Sequence, residues 1–250
     1  MNQLKSLLRA RPIKNIVILT GAGISAESGI QTFRDGNGLW NNHRIEDVAT
    51  PQAFQKKPDL VYDFYNQRRQ QLFSNEVSCN PAHFALADFE NSYEGEFTLI
   101  SQNVDNLHQR AGSKKLISMH GQLDQMRCRS SQKIFTAPLS FSADNHCECC
   151  AQKGNLRPHI VWFGEMPLHM ERIFQSLSDV DLFICIGTSG HVYPAAGFVE
   201  LANQVNAITV ECNLDQTLLS SQFEFQFIGK AGEVVPELMT LLTDVLVENS

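Results

Sequence analysis

Four times along this chain a short apolar run, rich in β-branched residues, ends in a polar or glycine turn. Asn15-Ile-Val-Ile-Leu-Thr20 enters Gly21-Ala-Gly-Ile-Ser-Ala26, and Glu96-Phe-Thr-Leu-Ile-Ser101 enters Gln102-Asn-Val-Asp105. Residues 181–186 enter Gly187-Thr-Ser189, and residues 207–211 enter Cys212-Asn213. Apolar runs of this length suit strands covered on both faces, which are strands of parallel sheets. Helical spacing fills the intervals at 81–89, 167–177, 195–203 and 234–246, with a further short helix at 1–11. Strand, turn and helix in repetition predict an α/β fold with a doubly wound parallel sheet.

Two stretches break the alternation. Residues 36–75 read as helices and loops without a clear strand, and 121–159 carry cysteines and little helical period. Both are expected to form a smaller lobe beside a larger one built from 1–35, 76–120 and 160–250, within a single region of 250 residues. With 43% hydrophobic and 19% charged residues the chain has enough apolar material for a core, which excludes a disordered protein. A net charge of −7 argues against nucleic acid held by bulk electrostatics. The apolar runs are strand-length, too short for a bilayer span. The N-terminus lacks the apolar core of a signal peptide, so a cytoplasmic location and no membrane partner are expected.

The turn Gly21-x-Gly23-x-x-Ala26 matches the glycine fingerprint of dinucleotide sites, where small residues let backbone approach a pyrophosphate. A tight turn with no ligand is the alternative. The acidic ribose ligand expected ~20 residues on should close a second strand. Here the acids of 35–47 fall in the insertion, so an ordinary dehydrogenase is not indicated.

Seven cysteines, four of them between 128 and 150, suggest metal rather than disulfides. Cys128-x-x-Ser131 and Cys147-x-x-Cys150, with 15 residues between them, have the spacing of two knuckles of a structural zinc site. Serine is a poor zinc ligand. That leaves Cys128, Cys147 and Cys150, with Cys149 or a water as fourth ligand, or else a metal-free vestige.

A helix is expected over 58–72, with Leu60, Val61, Phe64, Tyr65 and Leu72 on its apolar face. Arg68 falls on that face, and i,i+3 spacing points it the same way as Tyr65. A snorkelling arginine over core is the plain reading.

The ordered set of motifs resembles the sirtuin family of NAD-dependent protein deacylases. The set is Gly21-Ala-Gly-Ile-Ser-Ala-Glu-Ser-Gly-Ile30 with Thr32-Phe-Arg34, Gln102-Asn-Val-Asp105, His108 with Ala111-Gly112, His120-Gly121, Val161-Trp-Phe-Gly-Glu165, Gly187-Thr-Ser189 and Asn213. The matches run in family order over about residues 15–236. Gln31 stands where many members have proline, and Val104 where many have isoleucine.

The resemblance implies a Rossmann-like domain with a smaller helical and zinc-ribbon-like lobe, and one structural zinc. It implies that Gly21, Ala22, Gly23 and Ser25, with Gly187, Thr188 and Ser189, hold pyrophosphate and adenosine ribose. Asn213, Leu214, Asp215 and Ala231 complete that side, and Phe33 and Arg34 belong to a loop over the nicotinamide. Gln102, Asn103 and Asp105 would contact nicotinamide and its ribose. Asp105 could equally cap the helix that follows it.

His120 resembles the general base, with Asn103 and Asp105 as the other catalytic residues. Val161, Phe163 and Gly164 would meet the substrate, an acylated-lysine protein or peptide paired as an added strand, and Trp162 with Phe163 would wall the acyl tunnel. Tyr65-x-x-Arg68 resembles the pair of desuccinylase-type members, including bacterial class III proteins, with Ala49 leaving room for the longer acyl group. The implied function is deacetylation and desuccinylation of lysine, yielding nicotinamide, O-acyl-ADP-ribose and free lysine. A mono-ADP-ribosyltransferase using the same NAD site, and a non-catalytic binding module, are the rivals. A monomer is favoured.

Overall fold

A computed structural model describes residues 1–31, 39–40 and 43–247; Phe33 and Arg34 lie outside them. Six strands, all parallel, form the main sheet. Their order is Phe225–Ile228, Ile208–Asn213, Leu182–Ile186, Asn15–Thr20, Glu96–Ser101 and Leu116–Ser118. Three of the four central strands are buried at every residue, which is why their sequences show no alternation. The two edge strands were not expected. Leu116–Ser118 is three residues long, and Phe225–Ile228 is only half covered, so neither forms an apolar run.

From Asn15–Thr20 the chain winds outward through Glu96–Ser101. It then crosses back to Leu182–Ile186 on the other side. The winding reverses between these neighbours, and the crevice outside their carboxyl ends is where such sheets take ligands. Helices Asn2–Ala10, Pro81–Ser92 and Ala231–Leu246 cover one face, and Met170–Leu177 and Phe198–Gln204 the other.

The Pro81–Ser92 helix starts where the sequence says it should. Pro81 is pre-set for a first helical position, and Asn80 Oδ1 accepts from Ala82 N at 2.9 Å. Asn80 Nδ2 also donates to Ile24 O at 2.7 Å, and that bond bears on the glycine turn. The helix expected after the turn is a 3₁₀ segment, Ala22–Ser28, closed by left-handed Gly29. Asn80 takes the carbonyl that an α-helix would give to Ser28 N. Seven residues carry too little periodicity to tell the two forms apart.

The stretch expected to lack strands contains a two-residue antiparallel pair, Leu39–Trp40 with His43–Arg44, followed by helices Ile45–Val48, Pro51–Lys56 and Pro58–Leu72. Across from them Gly121–Cys128 pairs antiparallel with Ile134–Thr136 and Leu156–Ile160. These elements share a core of Val61, Tyr62, Tyr65, Leu123, Leu156 and Trp162. Arg69, not singled out in the sequence, is wholly buried; its Nε donates to Leu123 O at 2.6 Å and Nη1 to Asn66 Oδ1 at 2.9 Å. It bolts the Pro58–Leu72 helix to the three-stranded sheet. Among the described residues no helix is long and apolar enough to cross a membrane.

Candidate active site

The carboxyl ends of the central strands open into a cavity of about 750 Å³, bounded on its far side by the Pro58–Leu72 helix and residues 160–165. That volume suits a cofactor-sized ligand. Gly21, Ala22, Gly23, Ser25, Gly187, Thr188, Ser189, Asn213, Leu214 and Ala231 line one end. Gln102, Asn103, Asp105 and His120 form the middle, and Ala49, Tyr65, Arg68, Val161, Phe163 and Gly164 the other end. Asp215 is exposed and outside this lining.

The glycines let two strand-end loops pack against each other. Gly23 N donates to Gly187 O at 2.8 Å, and a Cβ on Gly23 would stand 2.7 Å from Gly187 Cα. A Cβ on Gly187, at φ +62°, would stand 2.5 Å from Ile24 N. The small residues let the two strand-end loops touch each other. The joined loops then present their outer edge to the cavity.

Between them sits a buried polar cluster. Ser25 Oγ donates to Asp105 Oδ2 at 3.0 Å, and Asn103 Nδ2 donates to Gly21 O at 3.1 Å and Ser25 Oγ at 3.2 Å. Asp105 Oδ1 accepts from Leu107 N at 3.1 Å; Leu107 is the first residue of the short Leu107–Ala111 helix, whose N-cap position is Asn106 rather than Asp105. Burial pushes its carboxyl above the ordinary range, against the hydrogen bonds from Leu107 and Ser25. Behind the cluster, Thr20 Oγ1 bridges Ser101 Oγ and His108 Nε2, and Ser101 Oγ accepts from Asn103 N at 3.1 Å. His108 therefore braces the Asn103 loop from inside.

His120 ends the link into the Gly121–Cys128 strand. Gly121 is at φ +82°, and a Cβ there would fall 1.9 Å from His159 O, so only glycine lets the chain turn at this point. His120 Nδ1 faces Gln102 O at 2.8 Å. A carbonyl only accepts, so Nδ1 carries the proton and the lone pair lies on Nε2. Burial lowers the imidazole pKa below 6.5, against the raising effect of the Gln102 bond.

At the far end, Tyr65 is fully buried and its hydroxyl accepts from Trp162 Nε1 at 3.0 Å. Arg68 stacks 4.9 Å from the Phe64 ring centre, and its Nε and Nη1 are buried without a partner among the described residues. Residues 161–165 form a turn rather than an extended strand. The N–H groups of Val161, Trp162, Phe163 and Glu165 are engaged by His120 O, Glu165 Oε2, Ala49 O and Trp162 O. A peptide pairing here would meet carbonyls and Gly164, whose Cα side is open.

Several lining residues had no sequence signal. Trp40 edges Phe64 and Tyr65 at 5.0 and 5.9 Å, and His191, Val192 and Tyr193 come from a loop without a motif. Arg157 lies in a strand and meets Glu165 only because the chain turns back between them.

The cysteines converge. The Sγ atoms of Cys128, Cys147, Cys149 and Cys150 all lie within 4.8 Å of one another, so Cys149 joins the three expected ligands. Four thiols this close fit a tetrahedral zinc. Ser131 lies outside the four, its N–H 3.4 Å from Cys128 Sγ and its hydroxyl 3.2 Å from Cys149 Sγ. Purified protein is expected to hold about one zinc per chain, with Cys149→Ser losing metal as fully as Cys147→Ser. Elemental analysis checks this. Unchanged zinc in Cys149→Ser would return the fourth position to water.

The cavity's glycine loops, amides and buried carboxylate fit a dinucleotide with a carboxamide end. The profile of the Sir2, or sirtuin, family matches residues 21–194. An NAD-dependent protein deacylase of Bdellovibrio bacteriovorus is 57% identical over 230 residues, 92% of this chain and 97% of that one. A Sir2 homologue solved in complex with NAD superposes with a TM-score of 0.87 at 38% identity, over 98% of this chain and 95% of the other. A variant Sir2 homologue with ADP-ribose gives 0.88 at 39%, over 98% of both chains. Sequence profile, a relative of nearly the same extent and a shared fold from end to end agree: the chain belongs to the Sir2 family.

Proposed function

We propose that this chain, an NAD-dependent protein deacylase of the Sir2 family, removes both acetyl and succinyl groups from protein lysines. The observation that carries the succinyl part is the Arg68 guanidinium, with two buried N–H-bearing nitrogens unpartnered among the described residues, in the same cavity as His120. A carboxylate at the end of a short acyl chain would satisfy it in bidentate fashion.

In this reading the joined glycine loops and Asn213 take the adenosine and pyrophosphate side, and Gln102, Asn103 and Asp105 the nicotinamide end. NAD supplies a ribose carbon with a nicotinamide leaving group and hydroxyls that receive the acyl group. Asp105, acceptor-only when ionised, can orient the carboxamide NH₂. Asn103, tied to Gly21 and Ser25, can orient a ribose hydroxyl or a water. His120 Nε2, unprotonated, takes a proton from a ribose hydroxyl. Trp162 and Phe163 exclude water from the acyl chain, and Val161 to Glu165 receive the peptide. Residues 36–75 and 121–159 act as a small lobe that carries the metal and the acyl-end wall. None of the seven cysteines is paired in a disulfide, and four of them gather as a metal site, which supports a reducing, cytoplasmic setting. We take the working form as a monomer.

The test is nicotinamide release from NAD with acetyl- and succinyl-lysine peptides. Release with both peptides, and soluble acyl-ADP-ribose as co-product, is the expected result. Transfer of adenine-labelled ADP-ribose onto protein instead would favour the transferase reading.

A further inference from the structure

The hydroxyl of Tyr65 has two things to do in the acyl pocket: accept one hydrogen bond and donate another. Its acceptor side is already taken. Trp162 Nε1 donates to it at 3.0 Å, and both side chains are buried. Among the described residues no acceptor takes the phenol's own proton. Burial raises the Tyr65 pKa well above 10, so the proton stays on. A phenol held this way is a donor with one direction left, and the cavity it lines is where that direction can lead.

Trp162 is held in turn. The Arg157 guanidinium lies 3.4 Å from its ring centre. Arg157 is itself clamped by Glu165 in bidentate fashion, Nη1 to Oε1 at 2.6 Å and Nη2 to Oε2 at 2.9 Å, and Nη2 also donates to Ile160 O at 2.8 Å. Glu165 Oε2 accepts from Trp162 N at 2.8 Å, so one carboxylate fixes both the backbone and the stacking partner of the same tryptophan. Arg127 adds a longer contact to Glu165 Oε1 at 3.3 Å. This is more restraint than a packing tryptophan needs.

We propose that Trp162 is a positioning residue for acyl specificity. Its indole N–H occupies the acceptor side of Tyr65, and thereby aims the phenol proton at the carboxylate of a dicarboxyl acyl group such as succinyl, beside Arg68. The Glu165–Arg157 clamp sets the angle of the indole. The inference rests on the acetyl-and-succinyl reading above. An acetyl group has no carboxylate to receive that proton, so the arrangement acts on one substrate class and not the other.

Trp162→Phe keeps an aromatic ring beside Arg157 and removes the N–H, together with part of the ring volume, whose packing cost falls on both substrates. The expected result is a drop of about 3- to 10-fold in the ratio of kcat/KM for succinyl- over acetyl-lysine peptide, the size of one neutral hydrogen bond. The drop should fall mainly on the KM for the succinyl peptide. A thermal melt establishes that the variant is folded, and a double-mutant cycle with Tyr65→Phe separates positioning from general packing. If Trp162 acts through the Tyr65 hydroxyl, Trp162→Phe in the Tyr65→Phe background leaves the ratio where Tyr65→Phe put it.

An equal drop in both backgrounds, or no drop in the wild-type background while Tyr65→Phe lowers the ratio, overturns the proposal and leaves the acyl reading standing. If neither Tyr65→Phe nor Arg68→Met moves the ratio, the reading of the pair fails and the inference goes with it. Should Trp162→Phe not fold, Arg157→Lys serves instead. It keeps a cation beside Glu165 but loses the planar stack, and must lower the same ratio in the Tyr65 background only.

Discussion

His120→Ala is expected to retain NAD binding and to lose deacylation by about 10²–10⁴-fold, the usual contribution of one positioned general base. The expectation follows from how the ring is held. Gln102 O fixes the proton on Nδ1, so Nε2 is a base without any tautomer to select. Gly121 lets no other residue type follow, which sets where the ring enters the cavity. The pH profile carries a second signature. Burial lowers the imidazole pKa from 6.5, so the neutral form persists below that pH. As pH falls through the lowered value, Nε2 takes a proton and kcat/KM falls with it; above it the base is fully available. The acid limb assigned to His120 is therefore expected below pH 6.5 and absent from the residual activity of His120→Ala. Calorimetric NAD binding and a pH–rate series measure both. Near-wild-type turnover in the variant would take His120 out of the mechanism.

What the sequence revealed, it revealed through local chemistry. Pro58, with Asp59 in the first turn, marks a helix start that needs no tertiary information, and the Pro58–Leu72 helix spans the expected residues. Asn15–Thr20 is apolar enough to be recognised as a doubly covered strand, and it is buried throughout. The site was legible where motifs stand at strand ends, because the sheet's winding delivers every strand end to the same crevice. What escaped depends on partners far away in the chain. Arg68 and Arg69 are neighbours of identical type. Only the position of Leu123 O and Asn66 makes Arg69 the structural one and leaves Arg68 facing the cavity. The choice between 3₁₀ and α at Ala22–Ser28 turns on Asn80, more than fifty residues on. The spacing leaves the fourth metal position open between Cys149 and a water, and only the folded loop brings Cys149 to the other three sulfurs. The Glu165–Arg157–Trp162–Tyr65 chain crosses three elements, and no periodicity connects them.

Arg68→Met should lower desuccinylation far more than deacetylation. Methionine keeps an unbranched stem and removes the guanidinium. Among the described residues of the wild-type chain two of that group's nitrogens are buried without a partner, and burial has pulled its pKa down, both marks of a cation missing its anion. A succinyl carboxylate arriving there gains a charge-assisted, forked contact. Without the guanidinium it would be left desolvated beside Phe64 and Tyr65. Truncating one partner of such a pair costs about 2–5 kcal/mol. Arg68 is half-buried rather than enclosed, which places the effect toward the low end, roughly 30- to 150-fold in kcat/KM for the succinyl peptide. Acetyl-lysine makes no use of the charge, so its rate reports only the change of shape in the pocket wall. The ratio of the two is the decisive measurement, since a misfolded or loosened variant would lose both activities in proportion. A proportional loss would make Arg68 a packing residue and withdraw the succinyl assignment, while the deacylase itself would stand.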